Sequence, residues 1–90
     1  MKSRFHEILE EQAAEWGVTI EEIEGKSRAG ALPVVRAKII HQYKKEFPYS
    51  TWRDIGRWLN MDHSSVIPAF HKVEDGTYES LIKAKDFSRS

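Results

Sequence analysis

Ninety residues, 40% of them apolar, suffice for one small domain with one core and leave little room for a buried active-site cavity. There is no cysteine, which excludes a disulfide framework and thiolate metal sites, and no apolar run nears the roughly 20 residues of a membrane span. The formal net charge of zero conceals an asymmetry, because residues 1–25 carry two basic and seven acidic side chains while residues 26–57 carry eight basic and two acidic. A phosphate-binding surface needs only local positive charge, so overall neutrality does not exclude nucleic acid.

Met1-Lys2-Ser3-Arg4 leads into a charged amphipathic stretch and does not resemble a signal peptide. Phe5, Ile8, Leu9, Ala13 and Trp16 then fall on one stripe of a helix, with Ser3 as its N-cap and Gly17 as its stop. Thr19 predicts the cap of a short second helix through Ile20 and Ile23, with Glu22 completing a capping box and Gly25 ending it. A basic, glycine-bearing loop occupies residues 25–32. Pro33 suits the first residue of a third helix over about 33–46, in which Val35, Ile39, Tyr43 and Phe47 recur every four residues until Pro48 breaks it. Ser50 or Thr51 caps a fourth helix that buries Trp52, Ile55 and Leu59 and ends at Asn60. Asp62 or Ser64 opens a fifth with Val66, Ile67, Phe70 and Val73, and Gly76 stops it. A last helical segment is predicted from Thr77 to about Asp86. No alternating strand pattern and no internal repeat occurs, so the expected fold is an all-α bundle of five to six helices in a single domain over 1–90.

The fourth and fifth helices have the spacing of a helix-turn-helix. Such a unit needs a small residue where the second helix crosses the first, a turn residue four positions later that accepts positive φ, and a buried β-branched residue six positions beyond. Gly56, Asn60 and Val66 fill those roles, with Ile55, Leu59 and Ala69 at the flanking core positions. Asp62, His63, Ser64 and Ser65 then stand at the end of the second helix that reaches base edges. They offer an acceptor for cytosine N4, and an imidazole and hydroxyls for guanine, adenine or phosphate.

Asp62-His63-Ser64-Ser65-Val66-Ile67, preceded by Asp54-Ile55-Gly56-Arg57, resembles the C-terminal DNA-binding domain of the bacterial replication initiator DnaA. Ile20-Glu21-Glu22-Ile23, Gly25-Lys26-Ser27-Arg28 and Arg36 extend the likeness upstream, so that it covers about residues 8–74, with 77–90 as a C-terminal helix or tail. The resemblance implies a Trp-repressor-like helical fold that binds double-stranded DNA. It implies base contacts from Asp62, His63, Ser64 and Ser65, and an arginine in the adjacent minor groove at Arg36. Lys26 and Arg28 would lie along the backbone, and Thr51, Trp52 and Arg53 would open the first helix of the motif against a phosphate. Lys44, Lys45 and Arg57 are further candidate phosphate contacts. The chain departs from the family in having Val34 and Val35 where a second arginine is usual, Trp52-Arg53 in place of Leu-Pro, and Pro68 inside the recognition helix.

No phosphate-binding loop of the Gly-x-x-x-x-Gly-Lys-Ser/Thr type is present, so the expectation is a detached reading head, without the initiator's ATPase. His63 and His71, eight apart, have no carboxylate pair at ligand spacing, and no metal or cofactor is expected. Trp16, Trp52 and Trp58 are expected in the core. Glu21, Glu22 and Glu24 could face a basic partner but read more simply as a solvated surface. Consecutive Asp62, His63 and Ser64 point in different directions on a helix and form no catalytic relay. The expectation is a non-enzymatic, cytoplasmic, monomeric DNA binder with no membrane or small-molecule substrate. The alternative is a protein-interaction module on the same fold.

Overall fold

In the computed structural model, which describes residues 3–25 and 30–83, the chain is all-α. Helix α1 (Arg4–Trp16) begins where the Ser3 hydroxyl accepts the His6 N–H at 3.2 Å, and it ends at Gly17, whose φ of 67° suits a residue without a Cβ. Phe5, Ile8, Leu9 and Ala13 are buried along its inner stripe. Helix α2 (Ile20–Glu24) carries the expected capping box, in which the Thr19 hydroxyl accepts the Glu22 N–H while the Glu22 carboxylate accepts the Thr19 N–H, each at 3.0 Å. Five residues cannot hold a helix alone, so α2 depends on tertiary contacts made by Ile23 and by its last carbonyls.

Helix α3 (Leu32–Glu46) starts one residue before Pro33, still within the first turn, where a missing N–H is harmless. Leu32, Val34, Val35, Ala37, Ile39 and Ile40 are all buried, which surrounds the first half of the helix with protein. Helices α1, α2 and α5 all pack on it. A helix buried all round has little amphipathic asymmetry, so the four-residue repeat in the sequence marks only one of its stripes. Phe47, expected as the end of that stripe, is instead the C-cap and 39% exposed.

Helix α4 (Trp52–Trp58) opens with the Thr51 hydroxyl accepting the Asp54 N–H at 3.1 Å. The following turn contains Asn60, at φ 56° the only non-glycine with positive φ among the described residues. Helix α5 (His63–Glu74) is capped by Asp62, which accepts the Ser64 N–H at 3.1 Å. Gly76, at φ 83°, follows it, and a further helical segment begins at Glu79 and runs to residue 83, where the described residues end. The nine largest fully buried side chains come from all five helices and the residue that ends α4: Ile8, Leu9, Ile23, Val35, Ile39, Ile40, Ile55, Leu59 and Val66.

Pro68 stands inside α5, because the helix begins at His63 behind the Asp62 cap. It therefore cannot donate to the Ser64 carbonyl, and only its exposed position makes this bearable. Of the roughly 3 kcal/mol that an interior proline costs relative to alanine, an already relaxed helix recovers part. Pro68→Ala is expected to stabilise the fold by about 1–2 kcal/mol, read as a melting temperature raised by several degrees. An unchanged or lower melting temperature would show that the proline ring contributes packing that outweighs its lost hydrogen bond.

Candidate nucleic-acid interface

The junction of α4 and α5 is built around Gly56. Its carbonyl accepts the Met61 N–H at 2.7 Å. A Cβ at Gly56 would stand 2.8 Å from the Met61 carbonyl oxygen and 3.1 Å from Val66 Cγ2. The turn backbone and the first buried residue of α5 thus rest directly on the absent side chain. Val66 is fully buried, and the four residues before it, Asp62, His63, Ser64 and Ser65, are all exposed. The start of α5 is therefore a polar end projecting from a fixed apolar base. The Ser64 N–H, with help from its hydroxyl, holds the Asp62 carboxyl below the usual carboxylate range. Asp62 Oδ1 also lies 3.4 Å from His63 Nδ1, so the two side chains stand side by side at the helix start.

Helical spacing adds members that the sequence reading passed over. Pro68, His71 and Lys72 follow Ser64 at four, seven and eight residues, and all are exposed. They extend the polar end into an outward stripe two turns long. A signal was present in that spacing, but the motif drew attention only to the first turn. Beside the stripe runs a groove of about 410 Å³ between the start of α3 and α5, lined by Pro33, Arg36, Met61, Ser64, Ser65, Pro68, Ala69, Lys72 and Tyr78.

Two expected contact residues are engaged elsewhere. Arg36 borders that groove but is only 6% exposed, and its Nε donates to the Ile23 carbonyl at 2.7 Å while Nη2 donates to the carbonyls of Glu22 and Gly25, each at 2.9 Å. The Glu22 carbonyl also accepts the Gly25 N–H at 3.3 Å, and a planar cation with several donors reaches all three carbonyls at the C-terminal end of this short helix at once. This corrects the minor-groove assignment of Arg36: its side chain ties α2 to α3. Lys44 likewise does not point to a phosphate. Its ammonium donates to the carbonyls of Pro48, at 3.1 Å, and Ser50, and lies 4.6 Å from the centre of the Trp52 ring, clamping the loop between α3 and α4.

The remaining candidates divide. Trp52 is half-buried and meets Phe70 edge-on at 5.2 Å, so its ring joins α4 to α5. Thr51 is the cap of α4. Arg53 and Arg57 are exposed on α4, Arg57 reaching Asp54 at 3.9 Å. Lys45 is exposed and lies 3.4 Å from Glu74, whose carboxyl is held low chiefly by its hydrogen bond with His41. Lys26 and Arg28 lie outside the described residues. Exposed cations therefore stand on α4 at Arg53 and Arg57, on α5 at Lys72, and on α3 at Lys45, which lies by Glu74 at the far end of α5.

Among the described residues, no cluster of three His, Cys, Asp or Glu side chains is placed to hold a metal ion, and no helix is long and apolar enough to cross a membrane. Comparison with protein-family models, curated proteins and solved structures finds no match for the chain.

Proposed function

We propose that the chain binds double-stranded DNA sequence-selectively, with α4 and α5 acting as a helix-turn-helix of the kind found in the DnaA DNA-binding domain. It would act without enzymatic activity, in the cytoplasm, in replication or transcriptional regulation. One observation carries this reading: Val66 is fully buried over Gly56 while Asp62, His63, Ser64 and Ser65 are all exposed ahead of it. An exposed, capped polar helix start rigidly seated on a tight turn is what a reading head requires. His63, Ser64, Ser65 and the ionised Asp62 supply the base-edge chemistry, and Arg53, Arg57, Lys45 and Lys72 supply charge for phosphates.

Selection from random duplexes, followed by titration against the selected site and a scrambled one, tests the proposal. His63→Ala is expected to weaken binding to the selected site by roughly 1–3 kcal/mol, tenfold or more, and to leave the scrambled duplex nearly unaffected. Asp62→Asn, which keeps a capping oxygen, should shift the preference at one base pair. Arg53→Ala and Arg57→Ala should weaken both duplexes alike, each flattening the salt dependence by about one unit. Equal losses on both duplexes from His63→Ala would put a different surface in the groove.

The second reading is a helical interaction module that does not bind DNA. It is favoured by one finding, that Arg36 and Lys44 are engaged inside the protein. Absence of salt-dependent binding to any duplex would decide for it.

A further inference from the structure

Helix α5 is held at two heights along its length. The first is the seat of Val66 over Gly56, and Val66 is the one buried residue of α5. The second lies one to two turns further on, where a turn of α3 meets a turn of α5. His41 and Lys45 stand four residues apart on α3, as Phe70 and Glu74 do on α5, so each pair shares a face. The His41 ring lies against Phe70 with centres 5.0 Å apart, and Phe70 also meets Trp52 of α4 edge-on. His41 Nε2 is hydrogen-bonded to the Glu74 carboxylate, and the Lys45 ammonium lies 3.4 Å from the same group.

The acidity of Glu74 does not serve α5 by itself. Glu74 is the last residue of the helix, where the negative end of the dipole disfavours an anion. Its carboxyl is nevertheless held below its ordinary range, chiefly by the His41 hydrogen bond and further by Lys45, so the charge is used across the gap to α3. Nearer the start of α3 the two helices stand apart. The groove of about 410 Å³ runs there, with Pro33 and Arg36 on one wall and Ser64, Pro68 and Lys72 on the other. A rod seated at Val66 and open along this groove keeps one direction only if its far end is also held. We propose that His41 and Glu74 are positioning residues: the bond between them fixes the angle of α5 over α3, and the helix carries that angle to Asp62, His63, Ser64 and Ser65. The consequence for base reading rests on α5 being the recognition helix, whereas the angle itself does not. An exposed pair of this kind adds little to stability, but contacts to bases need placement within about 0.5 Å. Its loss should therefore show in selectivity and not in the melt.

Glu74→Ala in the full chain tests this. The melting temperature should stay within about 4 °C of the parent's. In the free protein, residual dipolar couplings should report a changed tilt of α5. Amide resonances should move at Ser64 and Ser65 as well as near residue 74, about 15 Å away along the helix and beyond the reach of a local change. Affinity for a duplex selected from random sequences should fall several-fold, while a scrambled duplex binds as well as before or slightly better. A carboxylate acting only through its charge would repel DNA, and its removal would tighten both duplexes alike. His41→Phe keeps a ring against Phe70 but has no donor, and it should match Glu74→Ala. The two changes together should lose no more than either alone, because both break one bond. His41→Gln keeps a donor and should recover most of the selectivity. Unchanged tilt, both duplexes tightened alike, or an unchanged preference between them would overturn the proposal. If selection enriches no duplex, the DNA reading fails and the couplings of the free protein decide alone: a changed tilt sustains the positioning role and an unchanged one overturns it.

Discussion

Replacing Arg36 with alanine is expected to lower the melting temperature by about 10 °C or more. The carbonyls of Ile23 and Gly25 lose the Arg36 donor, that of Glu22 keeps the Gly25 N–H at 3.3 Å, and the buried stem leaves a void between α2 and α3. Each buried acceptor left unpaired costs about 1–3 kcal/mol, though water entering from the adjoining groove relieves part of this. A net loss of about 2–4 kcal/mol follows, and each kcal/mol moves the melting temperature of a domain this size by roughly 4–8 °C. Arg36→Lys should recover only a fraction, because one ammonium cannot span the three acceptors that a planar fork reaches. Thermal melts followed by circular dichroism measure both variants. A normal melt for Arg36→Ala, combined with lost affinity on duplexes with A·T-rich flanks, would return Arg36 to the minor groove.

Gly56→Ala should destabilise nearly as much, for a different reason. Gly56 lies inside α4, where alanine would ordinarily gain about 1 kcal/mol in helix propensity. Against this stands a Cβ placed 2.8 Å from the Met61 carbonyl oxygen, a backbone atom that cannot rotate away. Overpacking typically costs 1–3 kcal/mol when side chains can yield, and here the turn itself has to move. We expect a net loss of about 2 kcal/mol, a melting temperature about 10 °C lower, and a start of α5 displaced from its seat. Selectivity between duplexes should fall further than affinity for random DNA, since base contacts depend on the position of α5 and phosphate contacts tolerate a shift. A stabilised Gly56→Ala protein would mean that the two helices are not held together at this point.

The sequence by itself determined the local elements. Caps and stops depend on neighbours in the chain, so Ser3, Gly17, Thr19 with Glu22, and Asn60 could be read directly and stand in the structure as read. The all-α architecture and the close fit at Gly56 and Val66 were legible for the same reason, since the spacing of a turn and two crossing helices is a matter of register along one short stretch. What only the tertiary structure decided is which long side chains are available. Arg36 and Lys44 read as exposed cations because a sequence does not reveal which carbonyls from distant residues converge on them. Arg36 closes α2 from 11 to 14 residues away, and Lys44 closes the loop after its own helix. Phe47 and Trp58 read as core because they are aromatic and lie near apolar stripes. Both stand where their helices end, and among the described residues each is left 39% exposed. Local hydrogen bonds are fixed by separation along the chain, whereas burial is fixed by what else arrives, and only the assembled helices determine that.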